Sequence, residues 1–209
     1  MSKADGRDTR WAEHRVERRR ELVEATLRAI RRHGARLGME DIAAEAATSK
    51  TVIYRHFGDR VGLYLAVVEK VAENILADLH TSVTWERPDD LARLVSDMAT
   101  SYLGLVERDP EIYRFVMNRP LVDRPIDDDP VTGLTNRIGD QVSAVLRGHG
   151  YDADTADSLG HGLVGFVRAV SAQWVAAGMR RPRSQVVTDL TDFFRPVFAA
   201  AAPAAVLSR

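Results

Sequence analysis

Cysteine is absent from the 209 residues, so neither a disulfide nor a thiolate zinc site is available. Lysine is nearly absent as well. Only Lys3, Lys50 and Lys70 stand beside abundant arginine and alanine, a usage that suits a GC-rich bacterial genome. No run of about 18 apolar residues occurs, so no membrane-spanning helix is expected. The N-terminus is polar and basic without an apolar core, so no secretory signal is expected, and a bacterial cytoplasmic location fits. Catalytic punctuation is missing too. There is no Gly-rich phosphate loop and no His-x-x-x-His zinc helix, and His14, His33, His56, His80, His149 and His161 are scattered. Asp127-Asp128-Asp129 lacks the alternating acids and central glycine of an EF-hand loop, and a solvated loop or helix cap is the better reading. An enzyme is therefore not expected, nor a metal or other cofactor.

What is present is an ordinary globular composition, 45% apolar and 28% charged, on a chain long enough for one large or two small domains. The net charge of −1 conceals an asymmetry. Residues 1–60 hold 14 Lys/Arg against 10 Asp/Glu, and the remainder holds 15 against 20. A basic first segment on an acidic remainder fits a DNA-binding head on a body that does not touch phosphate, although chance segregation of solvated charges gives the same balance.

Helical periodicity runs through nearly the whole chain, and no stretch shows sustained β alternation, so the fold class is all-α. Leu22, Ala25, Thr26, Ala29 and Ile30 form one buried stripe of a first helix, with Arg18, Arg19, Arg20, Arg28, Arg31 and Arg32 around it. Gly34 and Gly38 end that helix. A second helix is predicted from about Met39 to Ala46, and a third runs to Phe57 from a Thr48-Ser49 cap, with Ile53 and Phe57 inward. Asp59 is placed to cap a long fourth helix to about Leu79. Pro88 opens a fifth, Asp109-Pro110 starts a sixth that Pro120 closes, and residues 119–130 read as an exposed loop. Further helices are predicted near 131–148, 153–178 and 184–200, with an Ala-rich tail at 199–205.

The third helix carries the most specific chemistry. Lys50 and Thr51 sit at its N-terminal end, where a helix entering the major groove meets base edges. Lys50 can donate to guanine O6 or N7, Thr51 can bond either partner, and the Val52 methyls can meet a thymine methyl. Tyr54 and His56 suit phosphate oxygens, and Arg60 can add a phosphate contact at the next helix N-terminus. Thr48, Ser49 and Arg55 complete the candidate DNA-binding set. The competing reading is a solvated amphipathic hairpin. Before the hairpin, Lys3, Arg7, Arg10 and Arg15 form a basic arm over residues 1–14 and just beyond, read either as a groove- or phosphate-binding segment or as a solubilising tail. Arg18, Arg19 and Arg20 are expected near the DNA backbone.

These residues resemble the TetR family of bacterial transcriptional regulators over residues 18–68. Leu22-Val23-x-Ala25-Thr26-x-x-Ala29-Ile30-x-x-x-Gly34 looks like the family's first helix, and Ile42-Ala43-x-x-Ala46 its second. Ser49-Lys50-Thr51-Val52-Ile53-Tyr54-Arg55-His56-Phe57-x-x-Arg60-x-x-Leu63 is similar to its recognition helix and the entry to the fourth. Three positions depart from the pattern. Ala47 stands where the turn usually has Gly, Gly38 where the second helix usually has Thr or Ser, and Val61-Gly62 where an acidic pair is usual. The Gly38 departure removes a side-chain phosphate contact.

The resemblance implies a helix-turn-helix head over about residues 15–60 and an effector-binding, dimerising body over 61–209. It also implies a homodimer through the last two helices. The sequence is compatible: Gly160, Gly162 and Gly165 permit close helix approach, and Val186, Val187, Leu190, Phe193, Phe194 and Val197 cover too much circumference for one internal face. Candidate ligand-binding residues are Met98, Tyr102, Tyr113, Met117, Phe166 and Trp174, with Trp85, Phe115 and Arg168 as further candidates for the pocket; an aromatic or Met stripe is more often helical core than pocket. Gly162-Leu163-Val164-Gly165-Phe166 with Trp174 loosely resembles a subgroup that controls fatty-acid metabolism and senses acyl-CoA. A small hydrophobic effector, acyl-CoA or fatty-acid-like, is the class implied. The expected function is a repressor that binds a palindromic DNA operator as a dimer and is released by its effector. An activator, an effector-independent regulator and a non-specific architectural DNA-binding protein are the alternatives.

Overall fold

The structure, a computed structural model, describes residues 6–83, 85, 90–122 and 129–201. Among them every regular element is helical: α1 (Gly6–His33), α2 (Met39–Glu45), α3 (Lys50–Phe57), α4 (Arg60–Ser82), α5 (Leu91–Arg108), α6 (Pro110–Asn118), α7 (Pro130–Gly148), α8 (Ala153–Ala176) and α9 (Arg183–Ala201). No helix among the described residues is long and apolar enough to cross a membrane.

Two boundaries differ from the sequence expectation. α1 begins at Gly6, so residues 6–14 of the expected flexible arm are helical, while Lys3 lies outside the described residues. The fifth helix begins at Leu91, where the Asp90 carboxylate accepts the Ala92 N–H at 2.9 Å; Pro88 lies outside the described residues. So do residues 123–128 of the predicted loop, which include Asp127 and Asp128, and the end of the Ala-rich tail from residue 202.

The chain divides into two compact units, one within residues 1–71 and 111–129 and the other within 72–110 and 130–209. The division falls inside α4, beyond the boundary expected at residue 60, and it brings α6 in with the first three helices.

In the first unit the α1 stripe is buried as its spacing predicts. Leu22, Ala25, Ala29 and Ile30 are almost fully covered, and Thr26 returns its hydroxyl to the Leu22 carbonyl at 2.8 Å. Ile42 of α2 and Ile53 of α3 complete this three-helix core. Each such side chain contributes about 1.5–3 kcal/mol by leaving water. Arg28 and Arg32 of α1 both reach Glu45 of α2, at 3.4 and 2.9 Å, so part of α1's basic face is neutralised within the head. Tyr64 of α4 is fully buried against Phe115 of α6, with ring centroids 5.8 Å apart, and its hydroxyl donates to the Val116 carbonyl at 2.8 Å. Burial pushes that phenol up to about 12. Glu111 at the start of α6 accepts the Ala35 N–H at 2.8 Å, which ties the α1–α2 connection to α6.

In the second unit α7 lies against α8 and α9 against α5. The α7–α8 crossing is close because small residues meet there. A side chain on Gly160 would come within 2.4 Å of the Ser143 hydroxyl, and Ser143 is itself fully buried. Gly162 and Gly165 instead face open space.

Candidate nucleic-acid interface

The turn that presents α3 begins with the end of α2. The Ala47 N–H bonds the Ala44 carbonyl at 3.1 Å and the Thr48 N–H bonds Ala43 at 3.0 Å, a Schellman closure. That closure requires a left-handed residue, and Ala47 takes φ +48°. The methyl makes this conformation costlier than it would be for glycine, by about 1 kcal/mol. Ser49 then turns the chain into α3, its hydroxyl accepting the Val52 N–H at 3.3 Å.

With Ile53 and Phe57 buried, α3 has one orientation available. Lys50, Thr51 and Arg55 are exposed, together with Ser49 of the cap. Val52, Tyr54 and His56 are half-buried, as is Thr48 in the turn. The three proposed base readers therefore share the N-terminal end of one short helix, two exposed and one at its margin. Lys50 is already engaged: its Nζ lies 2.5 Å from Oε1 of Glu40 on α2. Each partner stabilises the other's charge, so the Lys50 ammonium is held above its ordinary range and the Glu40 carboxyl below its own.

The C-terminal end of α3 is clasped by α1. The Arg19 guanidinium donates to the His56 carbonyl and lies 4.5 Å from the centre of the Phe57 ring. A cation at a helix C-terminus is favourable, and the ring face adds a cation–π contact. Sequence reasoning placed Arg18–Arg20 near DNA phosphate. In the fold, Arg19 is committed to positioning α3, Arg18 pairs with Glu21 at 2.6 Å, and Arg20 lies 3.8 Å from Glu17. His56 feels this concentration of charge. Burial, then Arg55, Arg18, Arg19 and Arg15, lower its pKa, so the ring is neutral near pH 7.

Beyond α3 the chain reverses through Gly58, at φ +83°, into α4. Asp59 caps α4 by accepting the Gly62 N–H at 2.7 Å. Gly62 stands where an acidic residue is usual, and the geometry of the turn gives it a reason. A Cβ there would fall 2.0 Å from the Phe57 carbonyl oxygen, so only glycine fits this turn. A notch of about 220 Å³, lined by Tyr54, Gly58, Asp59, Arg60 and Val61, opens beside the α4 N-terminus, with Arg60 exposed at its edge. At α2, Gly38 supplies no side chain; its N–H is taken by the Asp41 carboxylate at 2.9 Å.

The candidate ligand residues stand on α5, α6 and α8. Met98 is buried in α5, and Tyr102 of the same helix is half-buried. Tyr113 and Met117 are half-buried on α6. Trp174 is buried, with its indole N–H donating to the Arg181 carbonyl at 2.9 Å. Phe166 lies on the outer face of α8, stacked on Phe193 at 5.0 Å and edge-on to Phe194 at 5.2 Å. None of the six lines the cleft of about 420 Å³ in the second unit, whose walls include Asp78, Thr100, Glu107, Arg108 and Arg183. That cleft is polar, and its arginines are matched by Asp78 at 3.5 Å and Glu107 at 3.3 Å.

Known proteins share this organisation. Residues 22–67 match the model described as bacterial regulatory proteins, tetR family, and residues 80–206 match the tetracyclin repressor-like C-terminal domain. The HTH-type transcriptional regulator Rv0472c of Mycobacterium tuberculosis is 33% identical over 180 residues, covering 83% of this chain and 74% of that protein. The HTH-type transcriptional activator FasR of Mycolicibacterium smegmatis is 28% identical over 139 residues, 66% of this chain and 63% of FasR. Among solved structures, the transcriptional regulator FadR from Bacillus subtilis in complex with stearoyl-CoA superposes with a TM-score of 0.63 at 11% identity, covering 84% of this chain and 96% of FadR. That likeness is one of fold.

Proposed function

The chain belongs to the TetR family of DNA-binding transcriptional regulators, and from that premise we propose that it is a ligand-responsive repressor acting as a homodimer on a palindromic operator. The observation that carries the reading is the outward face of α3, where Lys50 and Thr51 stand exposed on a helix whose opposite face, Ile53 and Phe57, is locked in the core. In this reading Lys50, Thr51 and Val52 meet base edges. Thr48, Ser49, Tyr54, Arg55, His56 and Arg60 meet the phosphate backbone on either side. Each head would occupy one major groove, roughly 34–36 Å from its twin.

The dimer is supported by apolar surface that one chain leaves uncovered. Phe166, Phe193 and Val197 on α8 and α9 are among the exposed large apolar side chains of the described residues. Val186 and Leu190, on another side of α9, are buried. Phe193→Asp should convert the dimer to monomer in sedimentation velocity, and an unchanged sedimentation coefficient would remove this face from the interface. A small apolar effector, acyl-CoA or fatty-acid-like, is supported by the stearoyl-CoA of FadR, and its leverage would equal its differential affinity for two head spacings. FasR, named an activator, favours activation as the second reading.

Binding to a duplex enriched from a random library and to a scrambled duplex separates the proposed roles. Lys50→Ala should lose its preference while retaining non-specific binding, and Tyr54→Phe should weaken both duplexes equally. A sequence-dependent loss in Tyr54→Phe would contradict its phosphate role.

A further inference from the structure

α3 has eight residues, too few to hold a helix in water by backbone bonds alone, so its order depends on the rest of the head. Its last carbonyls find no N–H donors inside the helix. The Gly58 N–H donates to that of Tyr54 at 2.7 Å, and the Arg19 guanidinium of α1 donates to that of His56, 37 residues away in the chain. The same guanidinium stands 4.5 Å from the centre of the Phe57 ring. One planar cation thus grips both the backbone and the last core side chain of the helix. Arg18 and Arg20, on either side of it, pair instead with Glu21 and Glu17 of their own helix. Arg19 is half-buried, and the element it holds is the one that carries Lys50, Thr51 and Val52.

We propose that Arg19 is a positioning residue for base reading, which acts by holding α3 in one place and makes no phosphate contact itself. The inference rests on the reading of α3 as the DNA-facing helix. The two modes of binding ask different things of that helix. Base edges accept donors only in fixed directions, so a matched duplex requires α3 in one register, within about half an ångström. A phosphate field is diffuse, and a protein held by it tolerates a mobile helix. If α3 is loosened, the cost of ordering it therefore falls on the matched complex alone and does not cancel from the ratio of the two affinities. To reach phosphate, the guanidinium would have to leave both the His56 carbonyl and the Phe57 ring, which would undo its hold on α3.

The test compares wild type, Arg19→Met and Arg18→Met, the last removing the same charge one residue away. Met keeps an aliphatic stem and loses the guanidinium. The probes are the duplex most enriched by wild type from a random library and a scrambled duplex of equal composition, over a range of KCl concentrations. Arg19→Met should weaken the enriched duplex about tenfold more than the scrambled one, the order of one residue's backbone freedom. Arg18→Met should leave that ratio within about twofold of wild type, because a lost charge acts on both duplexes alike. Without DNA, amide hydrogen exchange in Arg19→Met should quicken over residues 54–58 and keep the wild-type rate over residues 26–30 of α1. Equal weakening of both duplexes, with a salt slope reduced by about one, would make Arg19 a phosphate contact and overturn the proposal. So would an equal fall of the ratio in Arg18→Met, or unchanged exchange over residues 54–58. Exchange quickened alike in α1 and α3 would mark a general loss of stability and overturn it too. A wild-type protein that binds both duplexes alike would refute the DNA-reading role itself, and this inference with it.

Discussion

His56 shows how one side chain records its surroundings. Burial first, and then the charges of Arg55 of α3 and Arg18, Arg19 and Arg15 of α1, hold its pKa below the ordinary histidine value. The native state therefore binds this proton less readily than the unfolded chain does. Its contribution to stability is complete above about pH 6.5 and is lost as pH falls from there. A DNA phosphate placed among the same arginines would oppose the field and raise the pKa, so binding would take up a proton. DNA affinity should therefore rise as pH falls toward 6, and His56→Gln should flatten that dependence in titrations followed by fluorescence anisotropy. An identical pH profile in the variant would place His56 away from phosphate. Arg19 belongs to the same cluster with a different task, because its guanidinium is spent on the His56 carbonyl and the Phe57 ring.

At the scale of elements, α3 is fixed from three sides: Ser49 at its start, Arg19 at its end, and Ile53 and Phe57 beneath. A reader helix needs this rigidity, because base discrimination depends on donors held in place before DNA arrives. α6 is tied to the same unit through Tyr64 and Glu111. Tyr64→Phe would leave the buried Val116 carbonyl without its partner and should cost about 1–3 kcal/mol in urea denaturation. A loss below a few tenths would mean that water or a shifted side chain replaces the bond. These ties also mark the limit of what the sequence discloses. The stripes of α1, α2 and α3 were legible because their partners lie nearby in the chain and follow a 3.6-residue period. The bond from Ala35 to Glu111 joins residues far apart, and no local pattern announces it. The hold of Arg19 on the end of α3 was hidden for a related reason: a basic run beside a DNA-binding head does not say which arginine reaches the His56 carbonyl and the Phe57 ring. Gly62 was legible as glycine, but the Phe57 carbonyl that demands it became visible only with the turn.

For the whole molecule, two features of the chain point the same way. Positive charge is concentrated in residues 1–60. Among the described residues, Phe166, Phe193 and Val197 put exposed large apolar side chains on α8 and α9, with Val16 of α1 the other one. Two chains joined at those helices would present two α3 faces to one duplex, and the symmetry of the protein would reappear in the DNA. The candidate ligand residues stayed ambiguous at this scale, because Met98 and Trp174 satisfy a helical core as well as they would line a pocket. The central claim is that Lys50 meets guanine in the major groove. Dimethyl sulfate footprinting of the enriched duplex reads guanine N7 reactivity there directly. Wild type should protect guanines in two symmetric half-sites about one helical turn apart, and Lys50→Ala should restore reactivity at one guanine in each half-site while the others stay protected. Unchanged N7 reactivity on binding, or an unchanged footprint in Lys50→Ala, would contradict it.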